Sequence, residues 1–398
     1  LGVLGGGQLG RFFVLAARRL GYGTAVLDPD AEAPAHALAD HRFIAPLDDA
    51  AALDRLGELC AAVTVEREGV PASSLRRLGA RCTVAPGAEA LAIGQDRLRE
   101  KRFLRAIGLA TAPWREVLAP ADAAPAALFP ALLKTARGGY DGRGQRRIED
   151  PGALAAAWRS LGAVPCVLEK QLPLERELSV VIARGRDGRS ATYPVVENRH
   201  RGGILHTSLA PAPVAEALAA QAVRAAERIA NALDYVGVLA VEFFVAGGGL
   251  RVNEFAPRPH NSGHFTLDAC AASQFEQQVR ALCGLPLGDT TLRSPAAMLN
   301  VLGEAYAAGE PAWAALMRGR RGALHLYGKR EARPGRKMAH VTLLAPSAPA
   351  ALAKVEALHA QLGRNSDARR VDRTRSRIAR APAEQPAQKK VPVRPVVG

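Results

Sequence analysis

Two glutamates stand at equal distances from the middle of a run of three glycines. Glu242 precedes Gly248 by six residues and Glu254 follows it by six, inside the apolar runs 238–246 and 250–256. This spacing predicts a hairpin with a three-residue turn, Gly247-Gly248-Gly249, and places the two carboxylates opposite one another, about 5 Å apart at Cβ. Ala240, Phe244, Val252 and Ala256 are expected on the same face. Opposed carboxylates among apolar neighbours repel, so a proton, an arginine or a divalent cation must balance them. Mg²⁺ is the economical choice, since it binds a few carboxylates together with phosphate oxygens.

A phosphate-binding segment lies about a hundred residues earlier. Residues 134–145 read Lys-Thr-Ala-Arg-Gly-Gly-Tyr-Asp-Gly-Arg-Gly-Gln. Four glycines in seven positions let backbone N–H groups converge on phosphate oxygens, and Lys134, inside an apolar run, adds a charge. The lysine precedes the glycines, the reverse of a Walker A loop, and a flexible hairpin with a solvated lysine is the plain alternative. After Glu254, residues 257–264 (Pro-Arg-Pro-His-Asn-Ser-Gly-His) hold two prolines that fix the backbone while Arg258, His260, Asn261 and His264 offer polar groups beside the acids, the pattern of a substrate pocket. A basic turn with Arg330, Arg333, Arg336 and Lys337 becomes an anion site only if the fold carries it over that pocket. The opening Gly5-Gly6-Gly7-Gln8-Leu9-Gly10, with Asp28 ending the next strand, fits a dinucleotide fingerprint. A nicotinamide cofactor, another phosphate ligand and a purely structural turn are all open on that motif.

Periodicity gives the elements that must position these residues. Short strands at 1–4, 24–27 and 80–85 alternate with helices at 8–20 and 50–62, an α/β unit with a parallel sheet. A helix at 96–107 ends at Gly108, and Ala112-Pro113-Trp114 marks a linker. Strands at 131–135, 166–170, 177–183, 238–245 and 250–255, with helices at 214–232 and 273–283, give a mixed α+β core. Strands at 297–302, 323–327 and 338–344 and a helix at 350–362 form a third segment. The fold class is α/β and α+β in three domains, 1–95, 96–290 and 291–363. A basic tail, 364–398, is low in large apolar residues and is expected to be disordered.

GGGQLGR at 5–11, APW at 112–114, GGYDGRGQ at 138–145, the 253–264 block and RPGRK at 333–337 together resemble the ATP-grasp superfamily, and within it the 5-(carboxyamino)imidazole ribonucleotide synthases. The resemblance spans about residues 1–345. It implies a three-domain ATP-grasp architecture with a biotin-carboxylase-like N-terminal α/β domain, ATP and Mg²⁺ as cofactors, and a homodimer. ATP phosphates would meet Arg97, Lys134 and the loop Gly139, Tyr140, Asp141, Gly142, Arg143, Gly144 and Gln145. Glu169, Lys170, Gln171 and Leu172 would hold the adenine edge and Glu177 the ribose, with His200 and Asn253 near the nucleotide and Glu242 and Glu254 on Mg²⁺. Substrate and bicarbonate-derived groups would meet Tyr140, Asp141, Arg258, His260, Asn261, Arg336 and Lys337. The implied reaction is ATP-dependent carboxylation of 5-aminoimidazole ribonucleotide by bicarbonate, through carboxyphosphate, in purine biosynthesis in the cytoplasm. The sequence departs from the family pattern at Arg67 and Gly69, where an E-F-E-N-like strand end is usual, at Ala339, where glycine is usual, and in the tail.

Composition narrows the alternatives. With 398 residues, 48% hydrophobic and 23% charged, the chain can bury a large core. It has no apolar run of membrane-span length and no leader pattern, and its five scattered cysteines lack a C-x-x-C pair, so a cytosolic chain with reduced thiols and no zinc site is expected. The formal charge is +15, but 364–398 carry ten basic and three acidic residues, leaving +8 elsewhere, as suits an enzyme of polyanionic small molecules. Competing readings are a related ligase such as a formate-dependent glycinamide ribonucleotide transformylase, an NAD-dependent oxidoreductase, and a nucleic-acid binder relying on the tail. The last ranks lowest, since a basic arm alone reads no bases.

Overall fold

The computed structural model describes residues 1–119, 125–139 and 142–378, with side chains described as far as 363. Tyr140 and Asp141, two expected site residues, lie outside the described residues, as does the tail from 379.

Five parallel strands open the chain: β1 (Gly2–Leu4), β2 (Ala25–Leu27), β3 (His41–Phe43), β4 (Ala62–Val65) and β5 (Thr83–Val84), in the order β3-β2-β1-β4-β5. β1, β2 and β4 are buried throughout, which is why they read as apolar runs instead of alternating. The helix expected at 50–62 stops at Leu59, and its last predicted residue, Ala62, opens β4. β3 carried no signal because it is an edge strand, His-Arg-Phe, facing solvent.

Protein groups close the glycine turn after β1. The Gly6 N–H donates to Asp28 Oδ2 at 2.7 Å, and the Gly10 N–H to the buried Glu66 Oε2 at 2.9 Å. Asp28 is therefore not free for a ribose hydroxyl, and the helix Gln8–Arg19 begins on a carboxylate of β4's continuation where a dinucleotide would place its phosphate. This is the structural-turn reading of the motif, and the nicotinamide reading finds no support here.

β6 (Trp114–Val117), β7 (Ala131–Thr135), β8 (Gln145–Ile148) and β9 (Cys166–Lys170) form a small antiparallel sheet, β6-β9-β7-β8. A second sheet of nine strands contains β10 (Arg176–Arg184), β11 (Ser190–Thr192), β12 (Val196–Arg201), β13 (Ile204–Ala210), β14 (Gly237–Ala246), β15 (Gly249–Ala256), β16 (Ala296–Leu302), β17 (Gly322–Leu326) and β18 (Lys337–Leu344). Its order is β15-β14-β10-β12-β13-β16-β18-β17, with β11 on β10. The third segment thus has no sheet of its own: β16 pairs with β13 and extends the core sheet. The helix Glu216–Ala232 lays Ala222, Ala226 and Ile229 on Leu178, Val180 and Val241 of that sheet. The helix Gln274–Leu282 joins the N-terminal domain to it, through Val279 and Leu282 packed with Val3, Phe13 and Val14.

The last helix runs Ala348–Ile378, well past the boundary drawn at 363. Ala351, Val355, Leu358 and Leu362 bury one stripe against β16 and β18. Arginine-rich sequence follows, and arginine is a good helix former, so the helix continues into the segment expected to be disordered. Among the described residues no helix is long and apolar enough to cross a membrane.

A Cβ at position 10 would lie 2.4 Å from the Gly5 carbonyl oxygen, whereas one at Gly69 would meet nothing within 4 Å. Gly10→Ala should lower stability in urea unfolding by about 1–3 kcal/mol, while Gly69→Ala stays within about 0.5 kcal/mol of the parent chain.

Candidate active site

β14 and β15 meet in a two-residue turn, not the three-residue turn expected. Ala246 pairs with Gly249, and Gly247 and Gly248 take φ of 58° and 68°, the left-handed conformation this tight turn requires. That register alone would set Glu242 against Asn253 and turn Glu254 to the other face. A bulge restores the opposition: the register slips at Phe243, Asn253 becomes the extra residue, and Glu242 pairs with Glu254. Val252 is then carried to the opposite face, beside Phe243 in the core, correcting its expected place near the acids.

The charges around this pair are unequal. Asp96 caps the helix Arg97–Ala106, and Arg97 at its start ion-pairs with Glu254. Arg97 holds the Glu254 carboxyl below the usual carboxylate range. Among the described residues Glu242 makes an ion-pair contact only with His260, whose Nε2 lies 3.3 Å from Oε1 and which burial and Arg258 keep neutral, while His200 and Arg258 act on it from further away. Burial, then Glu254, pushes the Glu242 carboxyl up to about 7. The arginine alternative therefore balances only one of the two acids, and the oxygen donors left over could hold a hard divalent cation.

β7 presents Lys134 beside this pair, with Nζ 2.5 Å from Glu169 Oε2. Lys101 takes the other oxygen, Oε1, at 2.6 Å. Burial alone would raise the Glu169 carboxyl, but Lys134 and Lys101 outweigh it and hold it far below the ordinary range. Both Glu169 oxygens face lysines, and Lys170, Gln171 and Leu172 continue half-buried from the strand end. Lys134 pairs with Gln145 across β7 and β8 and closes the glycine hairpin, in which Gly138, Gly142 and Gly144 have φ of 75°, 78° and 69°. Arg97 reaches toward this loop, with Nη2 3.4 Å from the Gly139 carbonyl.

On the opposite wall, Glu177 Oε2 of β10 lies 3.0 Å from His200 Nδ1 of β12. Burial would lower His200, but Glu177 outweighs it and the imidazole is raised above its usual value. Lys337, at the start of β18, acts electrostatically on both His200 and His260, so the third segment does bring one basic residue over the pocket. A bulge between Val301 and Leu302 of β16 sets Lys337 out of step with the buried Ala339. Arg336 Nη1 donates to the Glu331 carbonyl at 2.8 Å, within its own turn.

Arg258 Nη2 lies 2.6 Å from Glu68 Oε1, so the altered strand end at 66–69 still supplies two working acids, Glu66 at the glycine turn and Glu68 here. Arg258 Nε and both polar side-chain atoms of Asn261 are buried without a partner among the described residues. His264 is not in the pocket. Its ring stacks 4.5 Å from His340, which stacks 4.5 Å from His325, at a joint with Phe12. Sequence reasoning missed Glu100, Lys101 and Lys329, whose Nζ reaches Gln8 Oε1 at 2.7 Å and which burial pushes down to about 8. The available signal was helical spacing, which puts Lys101 one turn after Arg97 on the same face.

Three family models match in order: the ribonucleotide synthetase preATP-grasp domain over residues 1–95, the ATP-grasp domain over 102–275, and the phosphoribosylaminoimidazole carboxylase C-terminal domain over 296–354. Together with the sheets and the site they define an ATP-grasp ligase. The N5-carboxyaminoimidazole ribonucleotide synthase of Brucella melitensis is 45% identical over 354 residues, which are 87% of this chain and 96% of that protein. The Pseudomonas aeruginosa synthase is 43% identical, covering 90% of this chain and 99% of that one. The crystal structure of N5-carboxyaminoimidazole ribonucleotide synthetase from Thermus thermophilus superposes with a TM-score of 0.82 at 43% identity, over 90% of this chain and 98% of that one. The Aspergillus clavatus synthase in complex with ADP and 5-aminoimidazole ribonucleotide superposes with a TM-score of 0.82 at 31% identity, over 91% and 98%. The chain belongs to the N5-carboxyaminoimidazole ribonucleotide synthase family.

The raised carboxyl of Glu242 has a measurable consequence. Folded, it titrates near 7, above the ordinary value of 4.5, so stability is full below 4.5 and is lost as pH rises through 7. Glu242→Gln removes that loss. In the ligand-free protein it should raise the melting temperature by several degrees at pH 8, on the order of 1–3 kcal/mol, with the gain vanishing toward pH 4.5.

Proposed function

We propose that this chain carboxylates 5-aminoimidazole ribonucleotide with bicarbonate while cleaving ATP to ADP and phosphate, the step of purine synthesis for which its family is named. The observation that carries the reading is a set of buried polar atoms without partners among the described residues, Arg258 Nε and the Asn261 amide, near Glu242, the acid of the pair that no lysine or arginine touches among those residues. Such atoms call for ligand groups.

Bicarbonate is a poor electrophile, so its oxygen first attacks the γ-phosphorus of ATP and ADP departs. The exocyclic amine then attacks the carbonyl carbon of the resulting carboxyphosphate, phosphate leaves, and the amine gives up a proton. Lys134, Arg97 and the N–H groups of the glycine loop neutralise the moving phosphoryl charge. Glu177 and residues 170–172 hold the ribose and adenine. Lys337 and Arg258 bracket the carboxyphosphate, Asn261 Nδ2 donates to it, and Asn261 Oδ1 accepts from the ribonucleotide's amine. His260 is neutral, and its Nδ1 accepts the Ser262 N–H at 3.3 Å, so the ring is oriented with Nε2 toward Glu242. Tyr140 and Asp141 are assigned to the substrate by the family resemblance. Mg²⁺ held by Glu242 and Glu254 would reduce the repulsion between triphosphate and bicarbonate. Closure of the glycine loop over Lys134 would exclude the water that hydrolyses carboxyphosphate. Impermeant phosphorylated substrates place the reaction in the cytoplasm, and a homodimer, measurable by sedimentation, belongs to the same reading.

Coupled ADP release, with each substrate omitted in turn, tests the proposal. Release should require both 5-aminoimidazole ribonucleotide and bicarbonate, and glycinamide ribonucleotide with formate should not replace them. Arg258→Ala should lower kcat/KM by about 100-fold. Undiminished turnover by that variant would remove Arg258 from the site.

A further inference from the structure

Glu100 and Lys101 are adjacent on the helix Arg97–Ala106 and carry ionisable groups only 2% and 1% exposed. Such groups are expensive to bury unless strong partners meet them, and here the partners are specific. Lys101 Nζ lies 2.6 Å from Glu169 Oε1 and donates to the carbonyl of Asn253 at 2.9 Å. Glu100 Oε1 accepts the N–H of Phe255 at 2.6 Å. The two backbone groups flank Glu254, one residue before it and one after. Asn253 is the extra residue of the bulge, so the regular ladder does not provide for its carbonyl. The helix thus clamps the irregularity that turns Glu254 toward Glu242.

The other arm of Lys101 reaches the phosphate side. Glu169 is held by Lys101 and Lys134 together. Bound by Lys134 alone, this glutamate would cancel the charge that Lys134 brings to a phosphate. The second lysine leaves the buried trio with a net positive charge and fixes the carboxylate from behind, so Lys134 Nζ keeps one position.

We propose that Lys101, assisted by Glu100, is a positioning residue that sets the phosphate-binding Lys134 and the cation-binding Glu254 from a single point, fixing the distance between the two halves of the nucleotide site. The proposal rests on the function read above. A residue serving only stability would hold helix to sheet without affecting how nucleotide affinity depends on cation, whereas this arrangement links the two.

The test titrates a fluorescent ADP analogue into the full chain at a series of Mg²⁺ concentrations, with thermal unfolding recorded in parallel. Wild-type protein must bind the analogue in a Mg²⁺-dependent way, and failure there removes the functional reading and not the clamp. Lys101→Met should weaken nucleotide binding about tenfold and raise the half-saturating Mg²⁺ concentration about tenfold, with kcat lowered. Lys101→Arg keeps charge and donors but alters the headgroup, and should shift half-saturating Mg²⁺ by about two- to fivefold. If the methionine variant does not fold, the arginine variant carries the test. Wild-type affinity and wild-type Mg²⁺ dependence in a folded variant, with only the melting temperature changed, would overturn the proposal.

Discussion

Two half-buried carboxylates face each other across one hydrogen-bonded ladder, and the rest of the site answers that constraint. Their mutual repulsion and desolvation favour a proton on one of them in the free chain, and Glu242 carries that tendency because Arg97 already holds Glu254. Binding can therefore draw on a strain that folding leaves unrelieved. A cation held by Glu242 and Glu254 would gain from relieving the repulsion as well as from its own coordination. Apolar substitution of the pair would give an easier fold with no chemistry in it.

No single segment owns this pocket. The small sheet contributes Lys134, the hairpin contributes the acids, the N-terminal domain contributes Glu68 to steady Arg258, and β18 contributes Lys337. Cross-domain contacts keep the parts together. Gln278 accepts the Val238 N–H at 2.6 Å and donates to Thr64 Oγ1 at 2.7 Å, tying the core sheet to β4. Phe12 packs edge-on against His264, His325, Tyr327 and His340 with centroids 5.5–6.0 Å away, so all three segments share one aromatic joint.

Much of this was legible in the amino-acid order, for identifiable reasons. β7 and β9 were read to the residue because each is a short apolar run between turn signals, and the facing of Glu242 and Glu254 followed from equal spacing about Gly248. That last inference succeeded by a route the sequence did not show. A two-residue turn and a bulge compensate, and only the displaced Val252 records the difference. The strands β12 and β13 went unread because charged and polar residues such as Asn198, Arg199, His206 and Ser208 interrupt their pattern. The side-chain partners of Arg336 and Glu169 were not legible because each is settled by a long side chain choosing between tertiary partners, which spacing along the chain does not encode.

The pairing of β16 with β13 means that the third segment is a continuation of the core sheet and not an attachment to it. Its removal would strip the main-chain partners from Thr207–Ala210, leaving a bare ribbon margin ready to recruit a neighbouring polypeptide. Loss of solubility, more than loss of one lysine, is what evolution would face in shortening this protein from its far end.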